Sequence, residues 1–163
     1  MPSVKLEPLI KNLQLFNVKE LKRAIENAGN MSAKAVQIDF SVTTRTWDHK
    51  PDFTIEHTRD SGEWDVGTND KIYGYVSEGT RAHIIKPKKG RVLAFKRGGR
   101  PKSRIGWIGS NMGAKGKGKT IVTKIVHHPG TQARKFAETI NDKWDKEWPR
   151  QIARAIKAVM RFK

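Results

Sequence analysis

Residues 73–95, YGYVSEGTRAHIIKPKKGRVLAF, largely determine the fold predicted for this chain. Gly79 follows an aromatic run and indicates a turn that needs a positive φ or a close backbone approach. Two short apolar runs follow, at residues 83–85 and 92–95, and each is long enough for a buried strand. The turn-forming sequence at residues 87–90 joins them, so the stretch predicts a β-hairpin whose turn lysines face solvent.

A second stretch, residues 126–140, VHHPGTQARKFAETI, predicts the end of a strand and the start of a helix. The preceding residues 121–126 are rich in β-branched side chains, which favour a strand. Pro129 and Gly130 break that strand, and Thr131 is positioned to cap a helix beginning near Gln132.

These two stretches resemble a family of small tailed-phage neck proteins, the tail-component or tail-completion proteins of the head–tail junction. The family pattern places an aromatic residue and a glutamate before a Gly-Thr turn, then a His-Ile-Pro-Lys-Lys hairpin, then His-Pro-Gly-Thr before a C-terminal helix. The matching positions are Tyr73, Glu78, Gly79, Thr80, His83, Ile85, Pro87, Lys88, Lys89, His128, Pro129, Gly130, Thr131 and Ala133. The resemblance is strong over about a third of the chain and loose over the C-terminal helix.

This resemblance implies a structural virion protein, made in the host cytoplasm, with no enzymatic activity and no cofactor. It implies a homo-oligomeric ring, six-fold by analogy, at the phage neck. The partners implied are the head connector, the tail-tube or tail-terminator proteins, and the double-stranded DNA in the channel.

Length and composition narrow the class of protein. The 163 residues suit one domain with a single core over residues 1–163. The chain has no cysteine, which excludes disulfides and thiolate metal sites. No apolar run approaches the roughly 20 residues of a membrane span. The first ten residues lack the apolar core of a signal peptide, so we expect a cytoplasmic product and no membrane partner.

The charge is large and unevenly distributed. The formal net charge is +17, from 33 basic and 16 acidic residues. Residues 79–137 contain 16 Lys and Arg and no Asp or Glu, whereas the first 78 residues contain 10 basic and 12 acidic residues. Such asymmetry favours a polyanionic partner, above all nucleic acid. The alternative is a solvated basic surface with no dedicated ligand.

The N-terminal part, residues 1–47, is predicted to be helical. A first helix spans residues 6–29, with Asn17 as its cap, and Gly29 and Asn30 form its C-terminal stop. A second helix is predicted over residues 32–44.

The middle of the chain, residues 52–127, is predicted to form a small antiparallel sheet. Residues 52–59 alternate, with Phe53, Ile55 and His57 on one face. After a turn at residues 60–62, residues 63–67 return with Trp64 and Val66 pointing inward. A further turn is predicted at residues 69–70.

The last part, residues 131–163, is predicted to be one long helical region. Phe136, Ile140, Trp144 and Trp148 recur every four residues. Pro149 predicts a kink or two abutting helices. We expect the two tryptophans in the core or a subunit interface. The predicted fold class is therefore α+β: N-terminal helices, a small antiparallel β-sheet, and a long kinked C-terminal helix packed on the sheet.

Residues 96–119, between the two central stretches, form a basic insert. It contains eight basic residues and seven glycines, which predicts a mobile arm or long loop. Its cations could neutralise phosphates or meet an acidic partner protein, and the sequence leaves both open. Trp107 could anchor the arm or stack on a base. The predicted contact residues are Arg97, Arg100, Lys102, Arg104, Trp107, Lys115, Lys117 and Lys119, with Lys86, Lys88 and Lys89 from the turn.

Two motifs suggest chemistry, and both are weak. Residues 113–120 match the phosphate-loop pattern GxxxxGKT, yet such a loop should open a helix, and residues 121–126 favour a strand. His83, His127 and His128 could serve a metal or a nuclease, but no carboxylate lies within residues 79–137. We therefore assign no catalytic, cofactor or metal residue.

Three hypotheses remain. The first is the phage neck protein, and the second is a stand-alone nucleic-acid-binding protein. The third is a small nuclease that uses these histidines, and it predicts phosphodiester cleavage that a single His-to-Ala change abolishes.

Overall fold

The computed structural model describes residues 18–58, 62–114 and 116–161 and confirms the α+β class. In chain order the elements are α1 (Val18–Thr43), β1 (Thr54–Thr58), β2 (Glu63–Gly67), α2 (Lys71–Glu78), β3 (His83–Ile85), β4 (Leu93–Lys96), β5 (Thr120–Thr123), β6 (Val126–His128) and α3 (Phe136–Arg161). In this part of the chain the strands form three two-stranded antiparallel sheets, β1–β2, β3–β6 and β4–β5. None of the described helices is long and apolar enough to cross a bilayer.

Helix α1 is continuous, so the predicted stop at Gly29 and Asn30 is wrong. Gly29 is buried inside the helix, and the Trp64 ring occupies the space where a side chain would lie. The glycine therefore permits close packing and does not end the helix. The predicted helix over residues 6–17 and its Asn17 cap lie outside the described residues.

The β1–β2 hairpin forms as predicted. Ile55 pairs with Val66 and His57 pairs with Trp64, and these four side chains are half-buried on the inner face. The alternation of apolar and polar residues sets this register because a one-residue slip would expose all four.

Helix α2 was not predicted, because residues 69–70 were interpreted as a turn within a sheet. Asp70 is the N-cap of this helix, and its carboxylate accepts a hydrogen bond from the Tyr73 backbone N–H at 2.7 Å. That bond, and a second one from the His49 ring at 2.6 Å, hold the pKa of Asp70 below its usual value. Gly79 ends the helix with φ 81°.

The core is an aromatic cluster between the helices and the β1–β2 sheet. Phe40, Phe53, Tyr73, Phe136 and Ile140 are its buried members. The Tyr73 ring contacts the Phe53 ring at 5.1 Å and the Phe136 ring at 5.4 Å between centroids. Burial raises the pKa of the Tyr73 hydroxyl.

Helix α3 packs on α1 and on the β1–β2 sheet, as predicted for the C-terminal helix. The Trp148 ring contacts the Trp64 ring of β2 at 5.8 Å. The Trp144 Nε1–H donates to the Asp39 carboxylate of α1 at 2.8 Å. The structure has one helix with Pro149 inside it, rather than two abutting helices. Its predicted start near Gln132 is wrong, since α3 begins at Phe136.

The hairpin predicted within residues 83–95 is also wrong. Residues 83–85 pair with β6 and residues 93–96 pair with β5, so each predicted strand has a partner more than twenty residues away in sequence. The predicted strand over residues 121–126 is interrupted before β6. The Thr123 hydroxyl donates to the Ile125 carbonyl at 2.9 Å, a local turn that ends β5.

Candidate partner and nucleic-acid interface

Residues 80–131 form one irregular two-stranded structure, which we call the ribbon. It begins where Thr80 and Thr131 exchange two backbone hydrogen bonds, at 2.9 and 3.0 Å. The Thr80 hydroxyl also accepts from the Thr131 N–H at 3.0 Å. The β3–β6 and β4–β5 pairs extend the ribbon away from this base. The Gly-Thr pairs at residues 79–80 and 130–131, about fifty residues apart in sequence, therefore meet at one point in space.

Two glycines make that base possible. Gly79 has φ 81° and Gly130 has φ 94°, a region that side chains strongly disfavour. A Cβ on Gly79 would lie 2.6 Å from the Thr131 carbonyl oxygen, and one on Gly130 would overlap the Thr80 carbonyl. Thr131 therefore pairs with Thr80 and does not cap α3 as predicted.

The base is also tied to α2. The backbone N–H groups of Arg134 and Lys135 donate to the Val76 and Ser77 carbonyls at 3.1 and 2.9 Å. These carbonyls belong to the last turn of α2, where no partner within the helix exists. The ribbon is thus fixed to α2 on one side and leads directly into α3 on the other.

The histidines lie just above the base and do not converge. The His83 and His128 rings stack with centroids 5.0 Å apart. His128 Nδ1 accepts from the Gly130 N–H at 3.1 Å, and His83 Nδ1 lies 2.9 Å from the Arg81 carbonyl. His127 pairs with Ile84 and so lies on the opposite face. Within the described residues no three His, Asp or Glu side chains gather as a metal site would require.

The ribbon bulges at residues 86–92, which we call the lysine loop. Seven residues connect β3 to β4, whereas only Lys124 and Ile125 connect β5 to β6 on the other strand. The five additional residues on the β3–β4 side must therefore project away from the ribbon. Lys86, Lys88 and Lys89 are all exposed there, as predicted, and Pro87 is half-buried.

Beyond β4 and β5 the predicted mobile arm, residues 96–119, is a folded loop docked on the body. Arg100 and Ala114 continue the ladder with hydrogen bonds at 2.8 and 3.2 Å. The Ser110 hydroxyl accepts from the Thr46 N–H at 3.2 Å, and the Thr46 hydroxyl donates to the Asn111 carbonyl. Ser103 is only 4% exposed and Ile108 packs against the core cluster.

Because the insert is docked, its predicted contact residues are not all equally accessible to a partner. Lys102 is half-buried and forms an ion pair with Asp48 at 3.0 Å. The Arg104 guanidinium lies 5.7 Å from the centroid of the Trp107 ring, and that ring is 40% exposed. Lys115 lies outside the described residues. The predicted contact cations of the insert that are exposed are Arg97, Arg100, Arg104, Lys117 and Lys119.

The phosphate-loop match does not have the required geometry. Thr120 begins strand β5, whereas a phosphate loop must open a helix whose N-terminal N–H groups bind the phosphates.

The ribbon exposes apolar side chains of which only Trp107 was among the predicted contact residues. Ala94 and Val122 are paired, share one face of the ribbon and are both exposed, Val122 by 61%. Alternation along a strand places successive residues on opposite faces, a signal the sequence contains. The large exposed apolar residues of the ribbon are Ile84, Val92, Phe95, Ile105, Trp107, Met112, Val122 and Ile125.

A second surface was also missed, an open groove of about 730 Å³ between α1, β2 and α3. Its wall includes the rings of Trp64, Trp144 and Trp148. The Trp64 ring packs directly against Gly29, and its Nε1–H donates a 2.8 Å hydrogen bond to the Asn30 side chain. The His57 ring stacks parallel to it, with the ring centroids 4.4 Å apart. The carboxylates along the groove are Glu63, Asp65, Glu138 and Asp145.

No protein-family model matches the chain, and no curated protein or solved structure is significantly similar to it.

Proposed function

We propose that this chain is a structural protein of the head–tail junction of a tailed phage, where it joins head to tail as part of a ring. The observation that supports this most strongly is the base of the ribbon. The Gly-Thr pairs at residues 79–80 and 130–131, which carry the resemblance to neck proteins, contact each other directly. The two halves of this motif lie about fifty residues apart in sequence. If the motif anchors the ribbon, their direct contact explains why both halves are needed.

The surface of the ribbon supports an assembly role. Eight large apolar side chains and most of the basic insert are exposed on it. No described helix packs along β4 or β5, and an isolated two-stranded ribbon is at best marginally stable in water. Apolar surface of this kind is typical of protein–protein contacts, and the lysines add attraction to an acidic partner or to DNA.

In this proposal the helices and the β1–β2 sheet, which form the folded body of the protein, hold the ribbon in position. The ribbon then contacts the neighbouring components of the neck. The base fixes the direction in which the ribbon leaves α2 and α3. The ring sits between head connector and tail tube, and the exposed cations face either an acidic connector surface or the DNA in the channel.

Deleting the gene from the phage that encodes the chain tests the proposal. DNA-filled heads and free tails should accumulate, and adding the purified chain to that lysate should join them. A variant lacking ribbon residues 97–119 should be weaker in this complementation than the intact chain. Joined, infectious particles made without the chain would overturn the proposal.

A second candidate, a stand-alone nucleic-acid-binding protein, is favoured by residues 79–137, a stretch that contains 16 basic residues and no acidic one. Replacing Lys86, Lys88 and Lys89 with alanine should make the dependence of log K on log salt shallower by about 2 to 3, since each lost phosphate contact removes about 0.9. The control replaces one exposed lysine on each helix: Lys34, Lys71 and Lys157. Equal slopes for the two triple variants would exclude a DNA contact by the lysine loop, and no DNA binding by the intact chain would exclude this candidate.

A further inference from the structure

We propose that the lysine loop of one copy binds in the groove of a second copy, a contact that deepens the ring proposed above and rests on that function. The loop projects because seven residues on one strand oppose two on the other. Among the described residues, none in the loop is hydrogen bonded to the body of the protein. A cationic projection is therefore free to enter a neighbouring surface.

The groove has the chemistry that such a loop requires. Its rings, Trp64 and Trp148, offer faces on which a lysine stem can lie, and tryptophan attracts cations better than other aromatic side chains. One of the groove's tryptophans already has an ammonium group nearby, since Lys143 Nζ lies 5.5 Å from the Trp144 ring centroid and pairs with Asp39 at 2.6 Å, outside the groove lining.

The charges of the two surfaces are complementary. The loop contributes four exposed cations, Lys86, Lys88, Lys89 and Arg91, and one exposed apolar residue, Val92. The groove contributes exposed carboxylates, of which Glu138 and Asp145 form no ion pair with another residue of the described chain. A volume of about 730 Å³ lies within the usual range of binding pockets, so several loop side chains fit.

The geometry of this contact suits a ring. The loop and the groove share no residue, so one copy can offer its loop to one neighbour and its groove to another, which is a heterologous contact. Heterologous contacts close into rings when the rotation between copies allows it.

Cross-linking between two singly substituted proteins tests the contact in trans. The chain has no cysteine, so Lys89→Cys and Asp145→Cys each introduce one thiol. Mixed and treated with a short bismaleimide, they should give a covalent heterodimer. The control partner is Lys157→Cys, exposed on α3 but outside the groove, and it should give none. Equal yields from both mixtures, or no heterodimer at all, would overturn the proposal.

Charge reversal tests the same contact by affinity. Glu138→Lys with Asp145→Lys should weaken self-association measured by sedimentation more than tenfold, because like charges face each other across the contact. Adding Lys88→Glu and Lys89→Glu to the same chain should restore association. Failure of the fourfold variant to recover, while its melting temperature matches that of the intact chain, would contradict the loop–groove pairing.

The outcomes separate this inference from the proposed function. Rings that form in solution without the loop–groove cross-link would refute the inference and leave the neck proposal standing. A specific cross-link in a protein whose deletion leaves head–tail joining normal would refute the neck proposal and retain the contact.

Discussion

The base of the ribbon predicts a large penalty for replacing Gly79 with alanine. Gly79 has φ 81° and ψ 175°, a conformation that only glycine adopts readily, so the backbone strain alone costs about 1–3 kcal/mol. The new Cβ would also lie 2.6 Å from the Thr131 carbonyl oxygen and 2.8 Å from the Ala133 nitrogen. Both atoms belong to the backbone and cannot rotate away.

Relief of this overlap requires the Thr131 strand to move away from Thr80. Two backbone hydrogen bonds join these residues, at 2.9 and 3.0 Å, and each contributes a net of about 0.5–1.5 kcal/mol. The combined loss of unfolding free energy should therefore be about 2–6 kcal/mol.

The control is Gly98→Ala. Gly98 has φ 86°, close to that of Gly79, but a Cβ there would meet nothing within 4 Å. Its cost should be only that of the left-handed backbone, about 1–2 kcal/mol. Guanidinium denaturation followed by tryptophan fluorescence measures both variants, and amide hydrogen exchange at Thr80 and Thr131 localises the change. Equal losses in the two variants, with unchanged exchange at those amides, would refute the assignment of the base as a structural anchor.

Three further predictions concern the body of the protein. Phe136→Ala should lower the unfolding free energy by about 3–5 kcal/mol, because Phe136 is fully buried. Phe95→Ala, on the exposed ribbon, should cost far less. Similar denaturation midpoints for the two variants would contradict the core described here. Gly74→Ala should stabilise by about 0.5–1 kcal/mol in a thermal melt, because Gly74 lies inside α2 with open space at its Cβ; destabilisation would argue against that helix. The depressed pKa of Asp70 adds stability above its unfolded value of 3.8, and this stability is lost as the pH falls through the lower folded-state pKa. Circular dichroism from pH 5 to pH 2 should show this loss in the intact chain, and Asp70→Asn should remove it; identical acid curves for the two would refute the carboxylate's role as cap.

Local patterns predicted those parts of the fold that local interactions control. The alternation over residues 52–67 predicted both strands and the inward side chains of β2, and the four-residue repeat predicted the burial of Phe136 and Ile140. Helix α2 also has a local signal that was overlooked. Asp70 stands three residues before Tyr73, and the spacing of Tyr73, Val76 and Ser77 places one buried or half-buried face toward the core.

The errors arose where distant residues override local preference. Gly29 has the composition of a helix stop, and only the Trp64 ring, 35 residues later, explains why the helix continues through a glycine. The turn sequence at residues 87–90 favours a tight hairpin, but β3 pairs with β6 instead, and this pairing brings Thr80 next to Thr131. A local sequence pattern can predict a strand, but it does not determine which other strand will pair with it.

The candidate interface could be predicted in part. The concentration of Lys and Arg in the sequence correctly predicted that the lysine loop and most basic residues of the insert are exposed to solvent. Cationic side chains without an acidic partner are almost never fully buried. The docking of the insert depends on single hydrogen bonds from Thr46 to Ser110 and Asn111 and on the packing of Ile108, which have no periodic signature. The groove combines three tryptophans from two elements, so it exists only in the folded chain.

The proposed role at the head–tail junction is tested most directly by electron microscopy of tailed-phage particles assembled with this chain, using gold-labelled antibody against the purified protein. If the proposal is right, label is confined to the neck of each particle, and the averaged density shows a ring of six copies between connector and tail tube. Particles without label, or label spread over the head or along the tail, would contradict a role at the head–tail junction.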